Sequence, residues 1–381
     1  MQFKFTDEQE MVQSMVRDFS RDVLAATAME RDHKKEFSFD NFNQMAELGL
    51  MGMMIPPEYN GAGLDTVTYL IALIEIGYGC AATAVVMSVH NSIVCGSIHK
   101  FGTDEQKEKY LKPLAAGEYI GAFAQTEPNV GSDPSRQSTT AVRDGDYYIL
   151  NGTKRFITTG MNAGLTIVTA VTDREKRHKG ISTFIVPKDT PGFKVGKIED
   201  KMGLRSSDTT DQVFDDCRVP VANLLGKEGE GFKVAMSGLD AGRIGIAGQS
   251  VGVGQAALDA AVQYAKEREQ FGHPIAEFQG IRWMLADMAM DVEAARQLVF
   301  SAAAMKDRGE DCSSQASMAK LYASEMANRV AGQAVQIHGG YGYSKEYDVE
   351  RYYRDARVLT IYEGTSEIQR VVISNRLLKN K

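Results

Sequence analysis

Glu363 stands in Ile361-Tyr362-Glu363-Gly364-Thr365-Ser366-Glu367, a carboxylate with apolar residues before it and glycine after it. Withdrawn from water, such a carboxyl resists ionisation. Its pKa climbs from about 4.3 toward neutrality, where a carboxylate is a useful proton acceptor. Gly364 would let a substrate approach the backbone. The competing reading is a loop entering a helix, with Thr365 or Ser366 as the cap and Glu367 near the positive end of the helix dipole. Both can hold at once. A second candidate is Gln125-Thr126-Glu127-Pro128-Asn129-Val130-Gly131-Ser132-Asp133. Its hydroxyls and free backbone N–H groups could hold a phosphate or a planar heteroaromatic ring. The same residue types also make an ordinary surface turn.

Three further strings carry weaker signals. Arg268, in Lys266–Gly272, could pair with a phosphate or simply end a helix in solvent. Asp240 and Arg243 are three apart, so on a helix they share a face and form a salt bridge. Gln336-Ile337-His338-Gly339-Gly340 ends a helix, where the glycines serve as caps or allow close approach of a cofactor. His338 reads as structural. Gly252-Val253-Gly254-Gln255-Ala256-Ala257 fits the dinucleotide string GxGxxA, but that motif must follow a strand. A helix-like stretch precedes it here, so it reads as close helix packing.

Composition removes several classes. Lys and Arg number 43 against 50 Asp and Glu, a net charge of −7, whereas a nucleic-acid binder would be basic. Cys80, Cys95, Cys217 and Cys312 are isolated, which argues against a disulfide scaffold or a zinc site and for a reducing compartment. The six histidines form no HxxxH or HExxH pair, so no metal is expected. Met1–Glu10 is acidic and unlike a secretory or transit leader. The expected location is the cytoplasm, with a mature mitochondrial matrix chain as the alternative. No run of about 18 apolar residues is read, so no membrane span is expected.

The elements that must position these residues change texture twice over 381 residues, which is room for two or three domains. Thr6 with Gln9 forms a capping box ahead of Met11, Met15, Phe19 and Val23, spaced on one helical face. Helices follow at Phe39–Leu48, Thr66–Ile76 and Ala81–Lys100, with another from Thr103 toward Leu114. From Tyr119 to about Leu225 the chain turns β-rich. Asp144-Gly145 and Asn151-Gly152 read as turns bracketing a short strand, Asp146–Leu150. Leu165–Val171, Ile181–Val186, Phe193–Ile198 and Gln212–Phe214 are further strands of a small barrel or sandwich. After Gly231, long proline-free stretches at Val251–Lys266, Phe278–Lys306 and Gln315–Gln336 read as a buried helical bundle. The expected boundaries are 1–118 for an N-terminal α-domain, 119–228 for a middle β-domain and 229–381 for a C-terminal helical domain.

Together, and in this order, these strings resemble the acyl-CoA dehydrogenase family over essentially the whole chain. The strings that carry the resemblance are Phe123–Asp133, Asn151-Gly152-Thr153-Lys154, Asp240-Ala241-Gly242-Arg243, Arg268–Gly272, Gln336–Gly340 and Tyr362–Glu367. The resemblance implies an α+β multidomain fold: an N-terminal α-helical domain, a middle β-barrel or sandwich and a C-terminal four-helix bundle. It also implies a homotetramer built as a dimer of dimers. The implied activity is FAD-dependent α,β-dehydrogenation of an acyl-CoA thioester to the trans-2-enoyl-CoA, a step of β-oxidation. By the same resemblance Glu363 takes the α-proton, flavin N5 takes the β-hydride, and an electron-transferring flavoprotein receives the electrons.

Residue by residue, Phe123, Gln125, Thr126, Gly131, Ser132, Phe156, Ile157 and Thr158 would line the flavin. Arg268, Phe271, Gln279, Gln336, Ile337, Gly339 and Gly340 would reach the FAD of the adjacent subunit, and Thr365 and Glu367 its adenosine part. Ser132, Asp240, Arg243, Tyr362 and Gly364 would touch the acyl-CoA. Phe156 departs from the tryptophan that many relatives carry, and it lacks the indole N–H. The string similarity lies nearest the short-chain, butyryl-type branch, so a compact acyl group is expected. Branched, cyclic or glutaryl thioesters, an oxidase, a reductase running in reverse and a non-catalytic scaffold are the alternatives.

Overall fold

Thr6 opens the first helix as a capping box, its hydroxyl accepting from Gln9 N at 3.2 Å while the Gln9 side chain accepts from Thr6 N at 3.1 Å. In the computed structural model, which describes residues 4–378, this is α1 (Asp7–Phe19). It is followed by α2 (Ala26–Lys34), α3 (Phe39–Glu47), α4 (Thr66–Gly79), α5 (Ala81–Phe101) and α6 (104–115). α4 is apolar all round and buried along nearly its whole length, the expected condition of a helix at the centre of a large core. Its free N–H groups at Thr66 and Val67 donate to the Asp307 carboxylate at 2.8 and 3.0 Å, which ties the N-terminal helices to the C-terminal ones.

α5 contains a π-helical stretch, Val89–Cys95. The helix has the length and hydropathy of a membrane-crossing segment, which the sequence reading did not find. Of its most apolar window, 94% is buried inside the molecule, so its apolar surface is spent on the protein core.

The middle of the chain forms one eight-stranded sheet from β1 (Gly121–Ala124), β2 (Thr140–Asp144), β3 (Tyr147–Thr158), β4 (Leu165–Val171), β5 (Ile181–Pro187), β6 (Phe193–Ile198), β7 (Thr209–Pro220) and β8 (Leu224–Leu225). The order is β6-β7-β3-β2-β4-β5-β8, with β1 pairing in parallel on β4. Leu150, Val168, Phe184, Phe214 and Val219 fill its separate core.

Asn151-Gly152 is not the turn expected from its sequence. β3 runs straight through it, and the pairing with β7 slips between Leu150 and Gly152. Gly152 has φ +149°, and the Asn151 amide is occupied across the sheet with Asp216 at 3.0 Å. The dipeptide makes a bulge, where glycine answers the same conformational demand as it does in a turn.

The last part contains α7 (Gly231–Glu267), α8 (Gln279–Asp307), α9 (Ser313–His338), α10 (Val349–Val358) and α11 (Ser366–Leu378). α7, α8 and α9 pack on one another, α11 packs on α9, and α7 also packs on α4. Gly252 lies at that contact, where a Cβ would stand 2.7 Å from Tyr78 N, so the GxGxxA string serves helix packing. Helices, then a sheet, then helices is the three-part architecture expected.

Candidate active site around Glu363

Between α10 and α11 the backbone takes two successive left-handed residues, Glu363 at φ +52° and Gly364 at φ +88°. Glycine adopts this conformation freely, but a glutamate there is strained and must be held. Gln369 Nε2 donates to the carbonyls of Glu363 and Gly364 at 3.1 and 3.0 Å. Lys320 Nζ, from α9, donates to the Gly364 carbonyl at 2.7 Å. On the preceding side, the Tyr362 hydroxyl donates to Gln249 Oε1 at 2.6 Å, and Gln249 Nε2 donates to the Ala81 carbonyl at 2.7 Å. Thr365 accepts from Ile368 N at 3.3 Å and caps α11, as the capping reading of this loop expects.

The Glu363 side chain points at α7. Its Oε2 has no accessible surface and no hydrogen-bond partner. Burial pushes the carboxyl up to about 7, with the Arg243 and Lys320 cations opposing the rise. Arg243 forms the expected ion pair with Asp240 at 2.8 Å and is itself buried, with its Nε unpartnered. Across from the carboxylate, Ile93 of the π-helical stretch approaches Gly242, and the Tyr69 and Ser88 hydroxyls approach Gly245. The arrangement presents a proton acceptor in a narrow, mostly apolar place, with two cations behind it.

A second group of candidates is assembled on the sheet. Arg155 N donates to the Thr126 carbonyl at 2.7 Å, which sets Gln125–Thr126 beside Phe156–Thr158. Beneath them Lys154 is fully buried. Its ammonium meets Glu127 at 2.8 Å, Gln137 at 2.8 Å and the Gln125 carbonyl at 3.2 Å. Burial alone would raise Glu127, but the Lys154 ammonium and the Ser138 donors outweigh it and hold the carboxyl down at about 2. Phe156 sits at φ +58° in a bulge and is 57% exposed, with the Arg155 guanidinium 4.9 Å from its ring centroid. Phe123 is half-buried on β1, while Gly131 and Ser132 are exposed on the loop.

Arg268 caps α7 and lines a cleft of about 640 Å³ with Tyr264, Ile337, Gly339, Gly340 and Tyr341. Its guanidinium lies 5.5 Å from the Tyr341 ring centroid. His338 stacks on Tyr264 at 4.1 Å and bonds the Ala334 carbonyl, which supports its structural reading. Gln336, Phe271 and Gln279 are exposed nearby and do not line this cleft. Thr365 and Glu367 line a separate cleft of about 240 Å³ with Arg357 and Glu325. Neither cleft includes Glu363.

These surfaces fit the expected FAD. The exposed Phe156 ring suits a planar ring system, and the buried Gln125 Nε2 has no partner. In the larger cleft Arg268 offers a cation for a diphosphate beside glycines whose Cβ positions open on free space. The sequence reading missed Lys320, Gln249, Gln369 and the Lys154–Glu127 pair. Lys154 stands inside a string already singled out, and Lys320 is a lone charge in an Ala-rich helical stretch, which was the available signal.

Comparison with known proteins agrees with the three-part architecture. Residues 6–118 match the acyl-CoA dehydrogenase N-terminal domain, 122–217 the middle domain and 229–378 the C-terminal domain. The chain is 48% identical to a short-chain specific acyl-CoA dehydrogenase of Clostridium acetobutylicum, covering all of both chains. It is 50% identical to an acryloyl-CoA reductase (NADH) of Anaerotignum propionicum, over 100% of this chain and 96% of that one. The structure of butyryl-CoA dehydrogenase from Megasphaera elsdenii superposes with a TM-score of 0.98 at 46% identity, over 100% of each.

Proposed function

Because the chain belongs to the acyl-CoA dehydrogenase family, we propose that it converts a compact acyl-CoA thioester into the trans-2-enoyl-CoA with Glu363 as the base. The observation that carries this reading is the Glu363 carboxylate: its Oε2 buried and unpartnered, and its pKa pushed up to about 7. A base with that pKa is half ionised near neutral pH and still strong enough to take a proton.

Glu363 removes the α-proton. Its own backbone N–H, presented by the left-handed turn, is the donor offered to the thioester carbonyl as enolate character develops, the role of an oxyanion hole. FAD, when bound, supplies the acceptor for the β-hydrogen, which leaves with the electron pair. Phe123, Gln125, Thr126 and Phe156–Thr158 hold the ring system on the sheet, and the Lys154–Glu127 pair keeps that surface rigid. Arg268, Phe271, Gln279, Gln336, Ile337, Gly339 and Gly340 serve the FAD of a neighbouring subunit in a homotetramer, and Thr365 and Glu367 its adenosine part. Ser132, Asp240, Arg243, Tyr362 and Gly364 contact the substrate. Electrons pass on to an electron-transferring flavoprotein.

A compact acyl group is supported by the closeness of Ile93, Ser88 and Tyr69 to the Gly242–Gly245 stretch of α7, and by the similarity to a relative called short-chain specific. The similarity to a reductase favours a second reading, saturation of a 2-enoyl-CoA by the same residues in reverse.

The test is an anaerobic visible spectrum of the purified protein against a panel of acyl-CoA thioesters. Bleaching of the flavin band by a short acyl-CoA is the expected result, with Glu363→Gln retaining the band and losing the bleaching. Rapid bleaching in that variant would sink the assignment. Reoxidation of chemically reduced protein by a 2-enoyl-CoA, without forward bleaching, selects the second reading.

A further inference from the structure

Among the described residues two lysines are fully buried, Lys154 and Lys320. Lys154 has a carboxylate partner, Glu127, at 2.8 Å. Lys320 makes no ion pair among the described residues; its ammonium goes to a backbone carbonyl, Gly364 O, at 2.7 Å. A buried ammonium is costly unless it is compensated. Here the carboxylate that acts on it most strongly is Glu363, one residue before the carbonyl it binds.

We propose that Lys320 is the positioning residue of Glu363: its ammonium on the Gly364 carbonyl fixes the left-handed turn that carries the carboxylate and favours the charged form of that carboxylate. The proposal rests on the reading of Glu363 as the base. Gln369 Nε2 binds the same carbonyl at 3.0 Å and the Glu363 carbonyl at 3.1 Å. Together the two side chains hold both peptide oxygens of the strained pair from α9 and α11. Lys320 is set in α9 among buried small residues, Ser317, Ala316 and Ala323, so its long side chain has a fixed path to the turn.

The other groups facing Glu363 leave this role to Lys320. From α7 comes Arg243, whose charge opposes the rise in Glu363 more than that of Lys320 does, but whose hydrogen bond goes to Asp240 at 2.8 Å and not to the turn. From α4 comes the Tyr69 phenol, whose own ionisation is strongly disfavoured by burial. The turn itself adds Tyr362, bonded to Gln249, and the first turn of α11 adds Glu367. Glu325, on the same helix as Lys320, is engaged by Arg370 at 2.7 Å. Lys320 is therefore the cation near Glu363 whose charge no ion pair of its own offsets.

The experiment is pH-difference infrared spectroscopy of the FAD-loaded enzyme, with the Glu363 carboxyl band identified by its loss in Glu363→Gln. Lys320→Met is expected to move the Glu363 titration upward by about one pH unit, about tenfold less carboxylate at any pH well below the midpoint. The acid limb of the flavin-bleaching rate should move with it, and Lys320→Arg should return both toward the wild type. Where Lys320→Met does not fold, Lys320→Gln, equally neutral, carries the comparison. An unchanged Glu363 midpoint in a folded, FAD-retaining neutral variant overturns the proposal. A shifted midpoint in an enzyme that no acyl-CoA bleaches would uphold the coupling of Lys320 to Glu363 and count against the base reading alone.

Discussion

A Cβ at Gly242 would stand 2.8 Å from Glu363 Oε2, closer than any side-chain carbon sits beside a carboxylate oxygen at rest. It would also come within 3.2 Å of Ile93 Cδ1. The atom that must yield is the free end of the glutamate, because the glycine lies within a long helix that cannot shift. Gly242→Ala should therefore fold normally. The alanine gains up to about 1 kcal/mol of helix propensity, which offsets the crowding. It should nevertheless displace the carboxylate and cut the bleaching rate at least about tenfold, since a displacement near 1 Å costs that or more. Thermal unfolding beside single-turnover kinetics separates the two effects, and an unaltered rate would mean that Glu363 is not held against α7.

The raised Glu363 pKa makes opposite demands on rate and stability. In the proposed role of base it works only when ionised, so the bleaching rate should rise with pH through about 7. For stability, the folded pKa of about 7 lies above the ordinary value of 4.5. Between those values the folded chain binds more protons than the unfolded one, so stability is fully present below about 4.5 and is lost as pH rises through 7. The loss is of order 3 kcal/mol. Glu363→Gln is neutral throughout. It should match the wild type near pH 4 and exceed it by about that amount at pH 8, as measured by denaturant unfolding at the two pH values.

Lys154→Met should leave Glu127 buried without its cation, held only by the Ser138 and Thr139 donors, which costs up to about 3–5 kcal/mol. The same change releases the Gln125 carbonyl and Gln137. Loss of stability should therefore be accompanied by weaker retention of FAD, read as the flavin-to-protein absorbance ratio after gel filtration. Lys154→Met with Glu127→Gln, which removes both charges, should recover much of the stability. If FAD retention is unaffected by Lys154→Met, the surface at Gln125–Thr126 does not depend on the pair.

The helical and β textures were legible because periodicity and turn residues act locally. Thr6 with Gln9 forms the predicted capping box, and Phe193–Ile198 is a strand with the predicted bounds. Asn151-Gly152 misled because a bulge and a turn ask the same thing of glycine, and only the pairing of β3 with β7 tells them apart. Glu363 was legible as a chemical type, with apolar neighbours before it and glycine after. Its environment was not, since Lys320, Gln249 and Gly242 lie some 40 to 120 positions away and meet it only through the packing of α7 and α9.

Tyr362 and Gln249 offer the sharpest separation of stability from function. The tyrosine hydroxyl donates to Gln249 Oε1 at 2.6 Å, and the same amide donates to the Ala81 carbonyl at 2.7 Å, so the Glu363 turn is tethered through α7 to the start of α5. Tyr362→Phe removes the donor and leaves a fully buried amide oxygen unsatisfied, which costs about 1–3 kcal/mol. Adding Gln249→Leu removes the orphaned acceptor but strips the Ala81 carbonyl of its donor, so the double variant should recover only part of that loss. The tether is absent in both variants. Each should therefore show a similar fall in bleaching rate while their stabilities differ. A rate that recovers with stability in the double variant would show that the hydroxyl acts through folding and not by placing Glu363.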